Sequence, residues 1–188
     1  MTHLEPGPQN ASNPIAIRTA SSPDAAAIAA VHRAAFGAPG EPQLVELITA
    51  SPGFVPELSL IAAADQAANA ILGHILLSAA IVDGDDGRAR DILALAPMAV
   101  LPAHQGRGIG SALVRHALAE ADRLRWPVVV VLGHPTFYPR FGFEPASRFG
   151  VRPPFEVRDE AFMAAPLAAF DPMVRGVVRY PPAFDVVT

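Results

Sequence analysis

The chain has 188 residues, 51% of them hydrophobic and 17% charged, and a formal net charge of -4. That length and apolar fraction suffice for one domain with a substantial core. The absence of cysteine excludes disulfides, thiolate nucleophiles and cysteine metal sites, and an acidic balance without a basic cluster argues against nucleic acid as the main partner.

Residues 1–13 carry Pro, Gly, Asn and Ser and lack a basic start followed by an apolar run. They read as a flexible amino-terminal tail, neither a signal peptide nor a membrane span. Residues 14–188 then read as a single domain of a cytoplasmic protein with no membrane partner. Ile15–Arg18 is a short strand. Ser22-Pro23-Asp24 opens a helix through Ala35, with Ser22 as its cap and Pro23 in the first turn, and Gly37 stops it. A second helix is expected from Pro42 to Ala50. Leu58–Ala64 and Ala70–Val82 are neighbouring strands, and the turn Asp83-Gly84-Asp85-Asp86-Gly87 leads into a strand from Ala89 to Val100.

Beyond that strand, Gly106, Gly108 and Gly110 punctuate a turn, and Leu113, Val114, Ala117, Ala121 and Leu124 recur at the period of a helix with one buried face. A glycine turn at a helix start presents unpaired N–H groups and the positive end of the dipole to an anion such as a pyrophosphate. Three phosphate loops fit such a turn to different degrees. A P-loop requires Gly-Lys-Ser/Thr, whereas Ser111 follows Gly110 directly. A dinucleotide fingerprint requires a third glycine where Ser111 stands and an acid on the next strand, and Val128–Leu132 has none. The remaining pattern, Pro102-x-x-Gln105-x-x-Gly108-x-Gly110 after a strand, resembles the acetyl-CoA motif of the GCN5-related N-acetyltransferases.

A second segment carries the same resemblance. Val128-Val-Val-Val-Leu132 is a fully buried strand, followed by Gly133-His-Pro135 and then Phe137-Tyr-Pro-Arg-Phe-Gly-Phe143, which is similar to the Phe-Tyr-x-x-x-Gly-Phe segment of that family. With Val157–Met163, the chain most resembles the family's YhbS-type branch, over roughly Ile15 to Leu167. The tail from Phe155, with Phe155 and Val157 alternating and then Met173–Tyr180, is expected to supply closing strands. The fold expected is therefore α/β, with a mixed, mainly antiparallel central sheet and helices on both faces.

The resemblance also implies chemistry. The strands ending at Val100 and Leu132 splay apart, so backbone groups of Met98 and Val100 meet the pantetheine arm and acetyl carbonyl of acetyl-CoA. The pyrophosphate rests on Gly106, Arg107, Gly108, Ile109, Gly110 and Ser111, with side-chain contacts from Gln105 or Arg107. His134 touches the cofactor, and Tyr138 faces the departing sulfur. Arg33, Glu41 and Glu46 line the acceptor side. The acceptor is an amine on a small molecule or a peptide.

The general base is left open between His134, His74, a water chain and none. His74 reads equally as a satisfied core histidine, and His104 and His116 as surface or packing residues. Asp91 is about 23 Å along the strand from Met98, too far to serve. No spacing of His or carboxylates has metal-ligand character, so no metal is expected. The missing base favours a second reading, a CoA-binding sensor without turnover, and the intact Tyr138 favours catalysis. Phe162, Phe170 and Phe184 are candidates for a homodimer interface.

Overall fold

The computed structural model describes residues 15–64 and 70–186. The expected amino-terminal tail lies outside the described residues. Among the described residues nine strands form one sheet: β1 (Ile15–Thr19), β2 (Phe54–Ala64), β3 (Ile71–Gly84), β4 (Ala89–Val100), β5 (Val128–Leu132), β6 (Glu144–Pro145), β7 (Val151–Arg152), β8 (Phe162–Pro166) and β9 (Gly176–Arg179). Their order is β1-β2-β3-β4-β5-β8-β6, with β9 pairing the far end of β3 and β7 pairing β9. Only β4–β5 and β7–β9 are parallel. This is the mixed, mainly antiparallel sheet expected.

The α-helices α1 (Ala25–Phe36), α2 (Gly40–Thr49) and α3 (Ile109–Arg123) cover the two faces. The stripe Ile109, Leu113, Val114, Ala117 and Ala121 of α3 is buried against Leu93, Leu95, Val129 and Val131. The alternate residues Ile92, Ala94, Val128 and Val130 face the opposite side, where Leu44 and Ile48 of α2 close the layer. Because β4 and β5 are covered on both faces, both alternating sets are apolar, which accounts for the uninterrupted valine run.

The entry to α1 differs from expectation by one residue. Ser22–Asp24 form a short 3-10 turn capped by Ser21, whose N–H and Oγ both donate to Asp24 Oδ2 at 2.8 Å, and Asp24 is in turn the residue that precedes α1. Arg18 binds the same carboxylate through two hydrogen bonds of 2.7 and 2.8 Å and holds Asp24 well below the usual carboxylate range. Gly37 ends α1 in the left-handed conformation, φ 70°.

The carboxy-terminal segment departs further. Phe155 and Val157 are not in a strand; the closing strands are Phe162–Pro166, beside β5, and Gly176–Arg179, beside β3. Phe162 and Phe184 are buried in the α2-side core, where Phe184 packs on Tyr180 at 4.8 Å, and Phe170 rests edge-on against Phe149. Phe162 and Phe184 are spent inside the fold and do not offer an interface surface, whereas Phe170 is partly buried.

Candidate functional site

The site begins with a break in the sheet. β4 and β5 pair only at Leu93↔Val129 and Ala94↔Val130. On the other side of β4, Ile75 opposes Met98 and Leu77 opposes Leu95, so Ala96 and Pro97 together face the single residue Leu76. Such a bulge bends the strand, and a proline without an N–H is suited to it. Beyond it the Leu101 N–H donates to the Leu72 carbonyl at 2.9 Å. Strand alternation then turns Ala99 and Leu101 toward β3 and the backbone groups of Met98 and Val100 away from it, into the opening. The Val100 carbonyl is taken by Gln105 Nε2 at 3.0 Å. Gln105 thereby latches the strand end to the turn that follows.

The opening is the mouth of a cleft of about 1310 Å³. One end is the glycine turn. Gly106 and Gly108 hold φ of 74° and 84°, a region that residues with a β-carbon rarely enter. Gly110 is different: it is helical, and a β-carbon there would meet Phe137, Val100 and Met98 at ordinary contact distances of 3.6 to 3.8 Å. Of the three glycines, two are therefore required by their backbone conformation. The first helical bond of α3 runs from the Ala112 N–H to the Gly108 carbonyl. Among the described residues the N–H groups from Gly106 to Ser111 have no acceptor. Six adjacent donors at a helix start form an anion nest. Gly106, Gly108, Ile109, Gly110, Ser111, His104 and Gln105 all line the cleft, whereas Arg107 is exposed and does not.

The opposite lip is the segment after β5. The Gly133 N–H donates to the Ala161 carbonyl, and the N–H groups of Phe137 and Tyr138 both donate to the His134 carbonyl, which turns the chain into a 3-10 segment from Tyr138 to Phe141. The Tyr138 ring is 7% exposed and stands edge-on to Phe137 and Phe143. Gly133 makes room for it, since a β-carbon there would lie 2.8 Å from Tyr138 Cδ2 and closer still to Cε2. Burial pushes the Tyr138 hydroxyl up to about 12. That hydroxyl has no hydrogen-bond partner among the described residues. His134 is exposed on the same wall. Arg140 donates to the Phe137 carbonyl and lies over the Phe137 ring at 4.6 Å.

The remaining wall comes from α1, α2 and the carboxy-terminal segment: Phe36, Glu41, Phe155, Val177, Arg179, Tyr180 and Asp185. Of the three acceptor-side residues expected, Glu41 lines the cleft; Arg33 and Glu46 are exposed and do not. Phe155, Val177 and Tyr180 line the cleft without a sequence pattern that announces it. The local signals were an aromatic next to Pro153-Pro154 and another before Pro181-Pro182, which mark turns and give no hint of what those turns face.

His74 is a core residue, fully buried off the cleft, and that position removes it as the base. Its Nδ1 lies 2.9 Å from His32 Nε2 and its Nε2 3.1 Å from Ser59 Oγ. Asp91 and His116 are exposed away from the cleft, and His116 Nδ1 donates to the Ala112 carbonyl. Among the described residues no group of three or more His, Asp or Glu could hold a metal ion, and no helix is long and apolar enough to cross a membrane.

Residues 57–145 match the family model of the acetyltransferase (GNAT) domain. The chain is 38% identical over 139 residues to the uncharacterized N-acetyltransferase YjhQ of Escherichia coli K12, across 73% of this chain and 74% of that protein. It is 32% identical over 164 residues to the uncharacterized N-acetyltransferase YhbS of the same strain, across 86% and 93%. The crystal structure of Escherichia coli YhbS in complex with CoA superposes with a TM-score of 0.82 at 28% identity, covering 98% of this chain and 96% of that one. A GNAT family acetyltransferase from Brucella melitensis in complex with acetyl-CoA gives 0.74 at 30% identity, covering 92% and 99%.

Proposed function

Since the chain belongs to the GCN5-related N-acetyltransferase family, we propose that it transfers an acetyl group from acetyl-CoA to an amine by direct attack, both substrates being bound together. The observation that carries this reading is the row of unpaired N–H groups from Gly106 to Ser111, next to a strand edge whose Met98 and Val100 backbone faces the same opening. Six N–H groups converging on one point at a helix start favour an anion whether or not they are buried, and the strand edge beside them offers backbone partners to an amide. A pyrophosphate fits the first set and an amide-bearing pantetheine arm the second. Relatives crystallised with CoA and acetyl-CoA support the match.

Acetyl-CoA supplies a thioester: the amine nitrogen bonds to the acyl carbon, the carbon–sulfur bond breaks, CoA leaves as the thiol, and an ammonium acceptor releases one proton overall. The Met98 N–H, held by the strand, is the donor proposed for the oxyanion that develops on the acyl oxygen. Tyr138 is the catalytic residue of this reading. With its hydroxyl up at about 12 it stays protonated at neutral pH. Full transfer to a thiolate of ordinary pKa near 8.5 would cost roughly 5 kcal/mol, so Tyr138 acts by donating a hydrogen bond to the departing sulfur. Removal of the amine's proton falls to water in the open cleft or to His134, beside Tyr138.

Tyr138→Phe tests the assignment. The ring keeps its packing, so acetyl-CoA affinity holds within about twofold while kcat falls about a hundredfold, at the low end for loss of a positioned proton donor. Unchanged kcat would remove Tyr138 from the chemistry. A wild-type protein that binds acetyl-CoA and acetylates no amine would favour the sensor reading.

A further inference from the structure

The cleft has two chemically different ends. The anion nest lies beyond Val100, where β4 pairs with Gly73. The other wall includes β9, which pairs with residues 81–84 at the opposite end of β3. Here the lining is apolar and aromatic. Phe155 and Tyr180 are stacked at 6.3 Å with planes 11° apart. Phe36 is 45% exposed and Val177 37%, large apolar surfaces left uncovered on a cleft wall. Single exposed apolar residues are ordinary; several converging on one cleft mark a binding surface.

The charges at this end are unequal. Asp83 is occupied by Arg179 through hydrogen bonds of 2.8 and 3.0 Å, and that pair cancels. Glu41, half-buried in the first turn of α2, has no ion pair or hydrogen bond among the described residues. With Arg179 committed to Asp83, and Arg140 on the far lip over the Phe137 ring, an acceptor carboxylate at this end would meet the like charge of Glu41.

Building on the acetyltransferase reading, we propose that the acceptor is a small primary amine whose ammonium is carried on an aromatic or otherwise apolar body without a carboxylate, with Glu41 meeting the ammonium and Phe36, Phe155, Val177 and Tyr180 meeting the body. Glu41 binds the cation; the nitrogen loses one proton to solvent before it attacks the acyl carbon.

The test compares phenethylamine with phenylalanine, which adds only a carboxylate, with ethylamine, which lacks the ring, and with glucosamine, which is cationic and polar. Each is assayed for CoA release with wild type and Glu41→Gln, and binding of phenethylamine to the CoA-loaded protein is measured by calorimetry. The expected result is a kcat/KM for phenethylamine at least tenfold above the other three. Glu41→Gln should raise its KM roughly tenfold, the loss of one charge-assisted contact, without changing acetyl-CoA affinity. Equal or better use of phenylalanine or glucosamine, no use or binding of phenethylamine, or an unchanged KM in Glu41→Gln would overturn the proposal. Failure to bind acetyl-CoA would instead overturn the acetyltransferase reading beneath it.

Discussion

Lowering the pH from 7 to 5 should weaken the fold by about 4 kcal/mol through one buried pair of side chains. His32 on α1 and His74 on β3 are both fully buried and meet at 2.9 Å. One set of neutral tautomers satisfies both contacts: His32 Nε2–H donates to His74 Nδ1, and His74 Nε2–H donates to Ser59 Oγ. Burial pushes His32 down to about 4, and burial with the neighbouring imidazole pushes His74 down to about 3. Below pH 6.5 the unfolded chain takes up protons that the native pair refuses, so stability falls as pH falls through that value. By pH 5 each ring contributes a loss of about 2 kcal/mol, a large share of a typical domain's 5–15 kcal/mol. Asp24, held low by Arg18, gives its stabilisation up only below about pH 4, outside this window.

Urea unfolding at pH 7 and pH 5 reads the difference directly, with His32→Leu/Ser59→Ala/His74→Leu as the comparison. Wild type should lose several kcal/mol between the two pH values, and the triple variant should lose less than about 1 kcal/mol whatever its stability at pH 7. An equal pH dependence in both proteins would refute the argument that the pair is held neutral by burial.

Three substitutions probe the site's supports. Gly133→Ala forces the Tyr138 ring from its place between Phe137 and Phe143, so kcat should fall at least tenfold with acetyl-CoA affinity retained; full activity would mean that the ring moves freely. Gln105→Ala frees the Val100 carbonyl from its latch and should weaken acetyl-CoA binding several-fold by calorimetry, with melting temperature nearly unchanged. Phe143→Ala removes a ring 1% exposed beneath Tyr138 and should cost about 3–5 kcal/mol in urea unfolding.

The parts of the site that can be read from sequence are those whose cause is local. Gly106 and Gly108 stand out because their dihedrals demand glycine, and the stripe from Leu113 to Ala121 announces the helix whose start makes the nest. Val128–Val131 is legible because burial on both faces leaves no polar position; the strand expected to be fully buried departs only at Leu132, which is 50% exposed where it lines the cleft. The acceptor wall is not local. Tyr180 reaches the cleft because Val178 pairs with Val82, a contact across 96 residues whose register no short pattern encodes. The His32–His74 contact spans 42 residues and joins a helix to a strand; each ring alone reads as an ordinary histidine. The aromatics Phe162 and Phe184 invite an interface only while the strands and turns that bury them are unseen. The displaced cap, Ser21 for Ser22, shows that Asp24 selects which serine closes the turn.

In the proposed reading the turn from Gly106 to Ser111 holds the phosphates of acetyl-CoA. Calorimetric titration of wild type and Gly110→Glu with acetyl-CoA, CoA and NAD tests it most directly, because Gly110 has room for a side chain without backbone strain and faces the cleft. Wild type should bind acetyl-CoA and CoA with Kd on the order of micromolar and NAD far more weakly, and the introduced carboxylate should cost at least about tenfold. Wild type that binds neither CoA species, or a variant that binds them as well as wild type, would contradict the account.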